Sequence, residues 1–239
     1  MYQLQANMLK TRPLPKHIQI SEFLIREIMA GILVDGVRLP TEKKMADRFN
    51  VAVGTLRKAL QILEEKGLLK RIQGSGNYIQ YKNKVKSVYT HFRLELIEGG
   101  GLPAAETIEV FLMTKPKDAP EIGSSPQAHR IVRIRLLGDV QVALEEIWLD
   151  SRFTKNLRVS DISESLYHHY KESFDLVISK VVDQVSIAPV PEWSPDNFTM
   201  KSGEMAVCIE RVGWDQFNQP AEFSKTWLNP NVARYVSRT

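Results

Sequence analysis

The predominant spacing of the apolar residues changes near residue 80, and this change constrains the fold more than any other feature. Before it, apolar residues recur at the 3.6-residue period of a helix, as at Ile20, Phe23 and Leu24. Beyond it, apolar and polar residues alternate as in a strand, for instance over residues 130–137. A chain of 239 residues is long enough for two modest domains. We therefore predict an α+β protein with a helical N-terminal domain and a strand-rich C-terminal domain.

Three helices and a hairpin are predicted before this change. The first helix spans residues 18–31, the second follows Thr41, whose hydroxyl is placed to cap it, and the third spans residues 53–66. Two short extended segments then flank the glycine-rich turn 73–76. Three helices followed by a hairpin is the order of a winged helix-turn-helix.

Positive charge is concentrated in the same N-terminal part of the chain. Residues 1–80 hold 13 Lys and Arg against 7 Asp and Glu, whereas residues 87–239 hold 16 against 21. This asymmetry predicts that only the N-terminal domain meets a polyanion. The polar, lysine-rich segment 81–87 is predicted to be a linker, so the two domains are expected at residues 1–80 and 88–239.

The outer side of the third predicted helix is suited to contact DNA. It presents Thr55, Arg57, Lys58 and Gln61 opposite an apolar face, and these side chains offer donors to phosphates and base edges. Glycines in the hairpin turn would let the backbone approach a duplex closely. The alternative is a solvated helix face beside an ordinary hairpin turn.

The N-terminal residues resemble those of GntR-family regulators over positions 15–80. The matching motifs are His17-Ile18-Gln19-Ile20, Leu39-Pro40-Thr41-Glu42, Met45-Ala46, Phe49-Asn50-Val51, Thr55-Leu56-Arg57, Ala59-Leu60, Leu63, Gly67-Leu68, Arg71 and Gly74-Ser75-Gly76. In that family the third helix enters the major groove and the wing reaches the adjacent minor groove. The resemblance implies contacts with double-stranded operator DNA at Thr41, Lys43, Val53, Gly54, Thr55, Arg57, Lys58, Gln73, Gly74 and Gly76.

Two positions depart from the pattern of that family. Relatives usually carry arginine where this chain has Lys43, and often Ser-Arg where it has Ala52-Val53. Lysine cannot make the bidentate fork to guanine that arginine makes. Ala52 has no side-chain oxygen with which to cap the third helix. The operator sequence therefore does not follow from relatives, and Arg57 is the leading candidate for a DNA contact.

Beyond the linker the sequence predicts a largely antiparallel sheet with two helices. The predicted strands are Thr107–Thr114, Arg130–Leu137, Gln141–Leu149, Lys180–Ile187, Ala206–Trp214 and Ala221–Leu228, and the predicted helices are Val88–Glu98 and Ser165–Ser173. Turn signals at Gly138-Asp139 and Asn218-Gln219-Pro220 join neighbouring strands.

This C-terminal region resembles the UTRA domain, the effector-binding module of the HutC branch of GntR regulators. The resemblance rests on Arg130-Ile131-Val132-Arg133-Ile134-Arg135-Leu136, Val142-Ala143-Leu144-Glu145, Ser165-Leu166-Tyr167 and Pro220-Ala221-Glu222-Phe223-Ser224. It implies a fold similar to chorismate lyase and an effector site formed by Arg133, Arg135, Glu145, Ser165, Tyr167 and Glu222. The alternative is an exposed sheet face on which Glu145 or Glu222 is a surface partner of the arginines.

The two resemblances imply a sequence-specific transcriptional regulator that binds operator DNA as a homodimer. We expect a repressor that is released by a small polar or anionic metabolite acting as effector. The second hypothesis is a lyase-like enzyme that acts on a carboxylated substrate through Arg133, Arg135 and Glu145. A third is nonspecific DNA packaging. We expect no enzyme, because no set of residues supplies a matched acid, base and nucleophile.

No metal site, cofactor or catalytic residue is predicted. His168 and His169 are adjacent on a predicted helix and do not face one another. Cys208 lies in an apolar strand without an identifiable base. The N-terminus lacks the apolar core of a signal peptide, and nowhere do about 18 apolar residues run together. We expect a cytoplasmic protein without a membrane partner.

Overall fold

The computed structural model describes residues 14–29, 31–80, 91–117 and 119–237. These residues form two compact units. The first unit contains the described residues of 14–103, 137–140 and 234–237, and the second contains those of 104–136 and 141–233. The predicted linker 81–87 lies outside the described residues, and the domain boundaries at residues 80 and 88 stay a prediction.

The first unit contains the three predicted helices and the predicted hairpin. The helices are α1 (Lys16–Met29), α2 (Glu42–Arg48) and α3 (Val53–Glu65), and the hairpin consists of β1 (Leu69–Ile72) and β2 (Gly76–Ile79). The two strands pair antiparallel, with Leu69 opposite Ile79. Arg38 adds an antiparallel bridge to Tyr78 that the sequence did not predict.

The apolar stripes of the three helices meet in one core. Leu24, Ile25, Leu56, Leu60 and Leu63 are all fully buried there, as amphipathic helices require.

The ends of α2 and α3 agree with those predicted from the sequence. Thr41 Oγ1 accepts a hydrogen bond from the backbone N–H of Lys44, at 3.4 Å, whereas α3 begins at Ala52 without a side-chain cap. Gly67, in the left-handed region at φ +69°, ends α3.

The helix predicted over Val88–Glu98 is wrong for its described part. Within residues 91–98 the structure has a short strand, β3 (Leu94–Leu96), which pairs with the C-terminal strand β10 (Ala233–Tyr235). The backbone N–H of Val236 also donates to the carbonyl of Arg93. This segment obtains its backbone hydrogen bonds from a distant part of the chain, so its conformation does not follow from local periodicity.

The second unit is built on a six-stranded sheet. Its strands are β4 (Pro103–Thr114), β5 (Gln127–Leu137), β6 (Val140–Asp150), β7 (Lys180–Pro189), β8 (Met205–Trp214) and β9 (Pro220–Leu228), in the order β4-β5-β6-β9-β8-β7. All six predicted strands are confirmed. The pairs β6–β9, β9–β8 and β8–β7 are antiparallel. The predicted helix at 165–173 is confirmed as α4 (Leu166–Phe174). Within the described ranges, no helix is long and apolar enough to cross a membrane.

One face of this sheet packs against α4 and mixes apolar with charged residues. Ile147 and Leu149 of β6 lie in the same buried cluster as Tyr170 of α4. Glu145 precedes Ile147 by two residues on β6 and so lies on the same face. Ser224 of β9 lies opposite Ile147 on one side and opposite Arg211 of β8 on the other, which places Arg211 on this face as well. Because side chains two apart on a strand share a face, the charged residues lie beside the apolar cluster. The other face is packed by residues such as Val132, Leu144 and Trp227.

We predict that the helical core is what stabilises the first unit. Leu60 is fully buried on α3, so Leu60→Ala should lower the free energy of unfolding by about 2–5 kcal/mol. Gln61→Ala, at the exposed neighbouring position, should change it by less than about 0.5 kcal/mol. Urea unfolding followed by circular dichroism at 222 nm measures both, and equal effects would contradict this packing.

Candidate functional site

The ten residues predicted to contact DNA all lie on the first unit with at least part of each residue accessible. Thr41, Lys43, Gly54, Arg57, Lys58, Gln73 and Gly74 are exposed, and Val53, Thr55 and Gly76 are partly exposed. They occupy the start of α2, the first two turns of α3 and the turn of the hairpin. The surface therefore combines a helix with an adjacent wing.

A groove of about 840 Å³ runs between the start of α2 and the hairpin turn. Arg38, Lys44 and Arg71 line it together with one carboxylate, Glu42, so its charge is cationic. Gly76 has a φ of +131°, and a Cβ there would lie 3.1 Å from Nε of Arg38. Glycine is thus required where the wing approaches this arginine. The sequence did not single out Arg38, because its position follows from the bridge to β2.

Two carboxylates orient the arginines of this surface. Arg57 Nε donates to Oε2 of Glu42 at 2.7 Å, and the Arg57 side chain is 63% exposed. Arg71 Nε lies 2.9 Å from Oε2 of Glu64, and its Nη2 donates to the backbone carbonyl of Arg57 at 3.3 Å. These contacts hold the guanidiniums in place while leaving much of each accessible. The sequence predicted the exposure of Arg57 but not its link to Glu42.

A second polar cluster lies on the face of the sheet that packs against α4. Arg133, on β5, is 1% exposed. Its Nη2 and Nε donate to Oε2 of Glu145, on β6, at 3.1 and 3.3 Å. Its Nη1 donates to the backbone carbonyl of Glu164 at 3.5 Å, just before α4. The buried guanidinium therefore links two strands to the start of the helix.

Arg135 approaches the same carboxylate oxygen. Its Nε lies 3.7 Å from Oε2 of Glu145, and its side chain is 8% exposed. Burial alone would raise the pKa of Glu145, but the positive charges of Arg135 and Arg133 outweigh it, so the pKa of this carboxyl lies below its ordinary value. Glu145 is therefore a carboxylate at neutral pH. The alternative of an exposed sheet face is wrong, because both arginines are buried.

Glu222, on β9, is buried and accepts hydrogen bonds from two tyrosine hydroxyls of α4. Tyr167 Oη donates to Oε1 at 2.9 Å, and Tyr170 Oη donates to Oε2 at 2.8 Å. Burial raises the pKa of Glu222 above its ordinary value, although both hydroxyls and the charge of Arg211 act in the opposite direction. Burial and the charge of Glu222 raise the pKa of both tyrosines well above the ordinary value. Both tyrosines are therefore neutral donors at neutral pH.

Ser165 has a structural task at the start of α4. Its Oγ accepts from the backbone N–H of His168 at 3.4 Å and caps the helix. It follows directly on Glu164, whose carbonyl accepts from Arg133. The structure thus brings Arg133, Arg135 and Glu145 into direct contact, joins Tyr167 to Glu222, and places Ser165 beside the first group.

Sequence reasoning missed three members of this cluster, Arg211, Asp183 and Tyr170. Arg211 Nε and Nη2 donate to Oδ1 and Oδ2 of Asp183 at 2.6 and 2.7 Å, and the positive charge of Arg211 also acts on the hydroxyl of Tyr167. Asp183 lies opposite Arg211 on the edge strand β7. The sequence of β8 contained a signal for Arg211, because this charged residue stands among the apolar residues of a strand. The partners of Arg211 could be identified only from the strand order.

The cluster has the chemistry of an oxyanion site. Three guanidiniums, from Arg133, Arg135 and Arg211, lie on one sheet face with the carboxylates of Glu145, Asp183 and Glu222. Guanidinium groups bind carboxylate and phosphate oxygens through charge-assisted hydrogen bonds. Carboxylates and tyrosine hydroxyls beside them suit a ligand that also carries hydroxyl or amino groups.

Both units match known protein families. Residues 17–79 match the bacterial regulatory proteins of the gntR family, and residues 102–234 match the UTRA domain. The two matches correspond to the helix-and-wing surface and to the sheet that carries the ion cluster.

Individual proteins are similar over nearly the whole chain. The HTH-type transcriptional regulator SmoD of Agrobacterium fabrum is 48% identical over 94% of this chain and 96% of its own length. The HTH-type transcriptional repressor NagR of Bacillus subtilis is 25% identical over 92% of this chain and 93% of its own length. The crystal structure of the possible transcriptional regulator YydK from Bacillus subtilis shares the fold, with a TM-score of 0.53 and 22% identity over 95% of this chain and all of that one.

The raised pKa of Glu222 predicts a pH-dependent stability. Above the ordinary carboxyl pKa of 4.5, the unfolded chain releases this proton while the folded chain still holds it, up to the raised pKa. The free energy of unfolding contributed by Glu222 therefore falls as the pH rises through that window. Glu222→Gln cannot ionise and should show a smaller decrease than the wild type. Glu210→Gln, on the other face of the sheet, should retain the wild-type decrease.

Chemical unfolding of the three proteins at a series of pH values above 4.5 measures this difference. Tyr170, Tyr167, Arg211 and Glu145 are the groups that face Glu222 and remain unchanged in both variants. An identical pH dependence for Glu222→Gln and the wild type would show that this carboxyl ionises alike in the folded and unfolded chains.

Proposed function

The chain belongs to the GntR family of bacterial regulatory proteins and carries a UTRA domain, and we propose that it is a repressor that leaves its operator when a small anionic metabolite binds. It is a DNA-binding transcriptional regulator. The observation that carries the proposal is that one chain has an accessible basic surface on one unit and a buried ion cluster on the other. The similar protein NagR is named a repressor, which supports repression over activation as the sign of regulation.

The proposed DNA interface consists of α3 in the major groove and the hairpin turn in the adjacent minor groove. Arg57 is its central contact, since Glu42 fixes Nε while the rest of the exposed guanidinium faces outward to solvent. Phosphate contacts by Lys43, Lys58 and the other polar positions would set the register on the duplex. Gly74 and Gly76 would let the wing backbone approach the sugar-phosphate chain.

The proposed effector site is the buried ion cluster. Arg133 and Arg135 would bind the anionic group of the ligand. Glu145 and Glu222 would accept from its hydroxyl or amino groups, with Ser165 and Tyr167 beside them. Effector binding would favour a state of the protein whose recognition surfaces are wrongly spaced for the operator, since a ligand shifts a conformational equilibrium only by its differential affinity.

We further propose a cytoplasmic homodimer that binds an inverted-repeat operator. Two-fold symmetry of the protein would match two-fold symmetry of the site. The domains would divide at the linker 81–87, with the DNA-binding domain over 1–80 and the effector-binding domain over 88–239. We propose no enzymatic activity, because both units match families of transcriptional regulators.

We predict specific binding to the DNA just upstream of the chain's own gene. Fluorescence anisotropy should show much tighter binding to this duplex than to a scrambled one. The log–log salt slope should be roughly −4 to −8, because several counterions are released. Arg57→Ala should weaken specific binding by about tenfold, or about 1.4 kcal/mol.

The matched control is Lys171→Ala, which removes one exposed positive charge from α4 in the other unit. It should bind the upstream duplex as the wild type does. Equal affinity for both duplexes would argue for nonspecific packaging instead of regulation. An equal loss in both variants would show that Arg57 acts only through net charge. The same assay then identifies effectors, as metabolites that dissociate the complex.

A dimer is expected in solution. Light scattering on the full chain at micromolar concentration should give about 55 kDa, twice the 27.3 kDa of one chain. A mass of one chain across the micromolar range would contradict the proposed two-fold binding.

A further inference from the structure

The carboxylate of Glu145 is bound as an external oxyanion would be. A single oxygen, Oε2, receives Nη2 and Nε of Arg133 at 3.1 and 3.3 Å and lies 3.7 Å from Nε of Arg135. The two arginines are two residues apart on β5 and so share one face. Converging guanidiniums of this kind are a typical binding arrangement for carboxylate or phosphate oxygens.

These two guanidiniums require a negative charge between them. The side chains of Arg133 and Arg135 are only 2% and 8% exposed, and a buried cation without a counter-ion strongly destabilises the folded state. The positive charges of the arginines hold the pKa of Glu145 below its ordinary value despite burial. Glu145 supplies this negative charge in the structure, and a bound anion at the same place would supply it as well.

Of the ion pairs on this face, the contact of Glu145 is the one that an external anion can replace. Arg211 and Asp183 make two parallel hydrogen bonds of 2.6 and 2.7 Å, the strong bidentate form. Glu145 instead divides one oxygen between two arginines at 3.1 to 3.7 Å. Its side chain is also 17% exposed, against 9% for that of Asp183.

We propose that Glu145 is an internal counter-ion that competes with the effector for Arg133 and Arg135. The proposal rests on the proposed function, in which this cluster is the effector site. The oxyanion of the ligand takes the guanidinium contacts of Glu145, and the displaced carboxylate accepts hydrogen bonds from donors on the same ligand. The effector is therefore a small molecule with both an oxyanion and nearby hydroxyl or amino groups. A neutral polyol does not displace Glu145.

The competing explanation is that Glu145 only recognises the ligand directly. The two explanations predict opposite signs for binding of a simple oxyanion that carries no amino group. If Glu145 competes, Glu145→Gln binds inorganic phosphate more tightly than the wild type does. If Glu145 contributes only favourable contacts, the variant binds phosphate equally or more weakly.

The experiment is calorimetric titration of the full chain with inorganic phosphate at neutral pH and constant ionic strength. Glu145→Gln should bind phosphate about tenfold more tightly than the wild type, since removal of one competing charge close to the anion is worth about that factor. The matched control is Glu146→Gln. Glu146 also accepts from an arginine, Arg130, at 2.6 Å, and its side chain is 15% exposed, but it follows Glu145 on β6 and so faces the other side of the sheet. This control should bind as the wild type does.

A further variant assigns the gain to this site. In Glu145→Gln/Arg133→Met the gain in phosphate affinity should disappear, because one of the two guanidiniums is gone. An equal gain in Glu146→Gln, a gain that persists in the double variant, or no gain in Glu145→Gln overturns the proposal. If Glu145→Gln folds only with phosphate present, that requirement supports it. If Glu145→Gln does not fold at all, Glu145→Asp is titrated instead. Its carboxylate keeps the charge but reaches less far, so it should bind phosphate more tightly than the wild type by less than about tenfold. No gain in phosphate affinity for Glu145→Asp overturns the proposal.

Failure of this inference is distinguishable from failure of the proposed function. The titration contains inorganic phosphate and no DNA, whereas operator binding is measured with DNA in a buffer free of inorganic phosphate. Specific binding to the upstream duplex with no gain in Glu145→Gln overturns the counter-ion role alone. A gain in Glu145→Gln without operator binding supports the counter-ion role and overturns the regulatory proposal.

Discussion

Charge compensation on one face of the sheet is the constraint on which the second unit depends. Arg133 and Arg135 share Glu145, and Arg211 is bonded to Asp183. A buried ion pair contributes little net stability, but loss of one partner costs about 3–5 kcal/mol. The pairs join β5 to β6 and β8 to the edge strand β7, and Arg133 reaches the carbonyl that precedes α4. A ligand that alters the pairing of Arg133 therefore acts directly on strands and on the start of a helix.

The first unit uses the same residue types differently. Glu42 and Glu64 contact Arg57 and Arg71 at the surface, where an ion pair contributes only about 0–1 kcal/mol. Their effect is to orient guanidiniums that stay accessible, while the apolar stripes of the helices provide the stability. Arginine is thus presented outward in one unit and enclosed in the other. This difference is consistent with the proposed binding of DNA at the surface of one unit and of a small anion inside the other.

The sequence predicted those parts of the fold that local patterns determine. Helical periodicity identified α1, α2 and α3, and strand alternation identified the six strands of the large sheet, because each of these elements buries one regular face. The segment Leu94–Leu96 was predicted as helix because its strand partner lies near the C-terminus. Within the ion cluster, Arg133, Arg135, Glu145 and Glu222 came from resemblance, whereas Arg211, Asp183 and Tyr170 were missed. Their contacts depend on the strand order and on how α4 packs, which no short stretch of sequence contains.

The division of labour between the two units is the central claim, and hydrogen–deuterium exchange of the full chain with its upstream duplex tests it most directly. DNA should slow backbone amide exchange at the start of α2, in the first turns of α3 and in the hairpin turn 73–76. A scrambled duplex at the same salt concentration should give less protection there. Residues 130–146, which carry Arg133, Arg135 and Glu145, should gain no direct protection from DNA. Protection centred on the sheet, with none on α3 or the hairpin, would contradict the account.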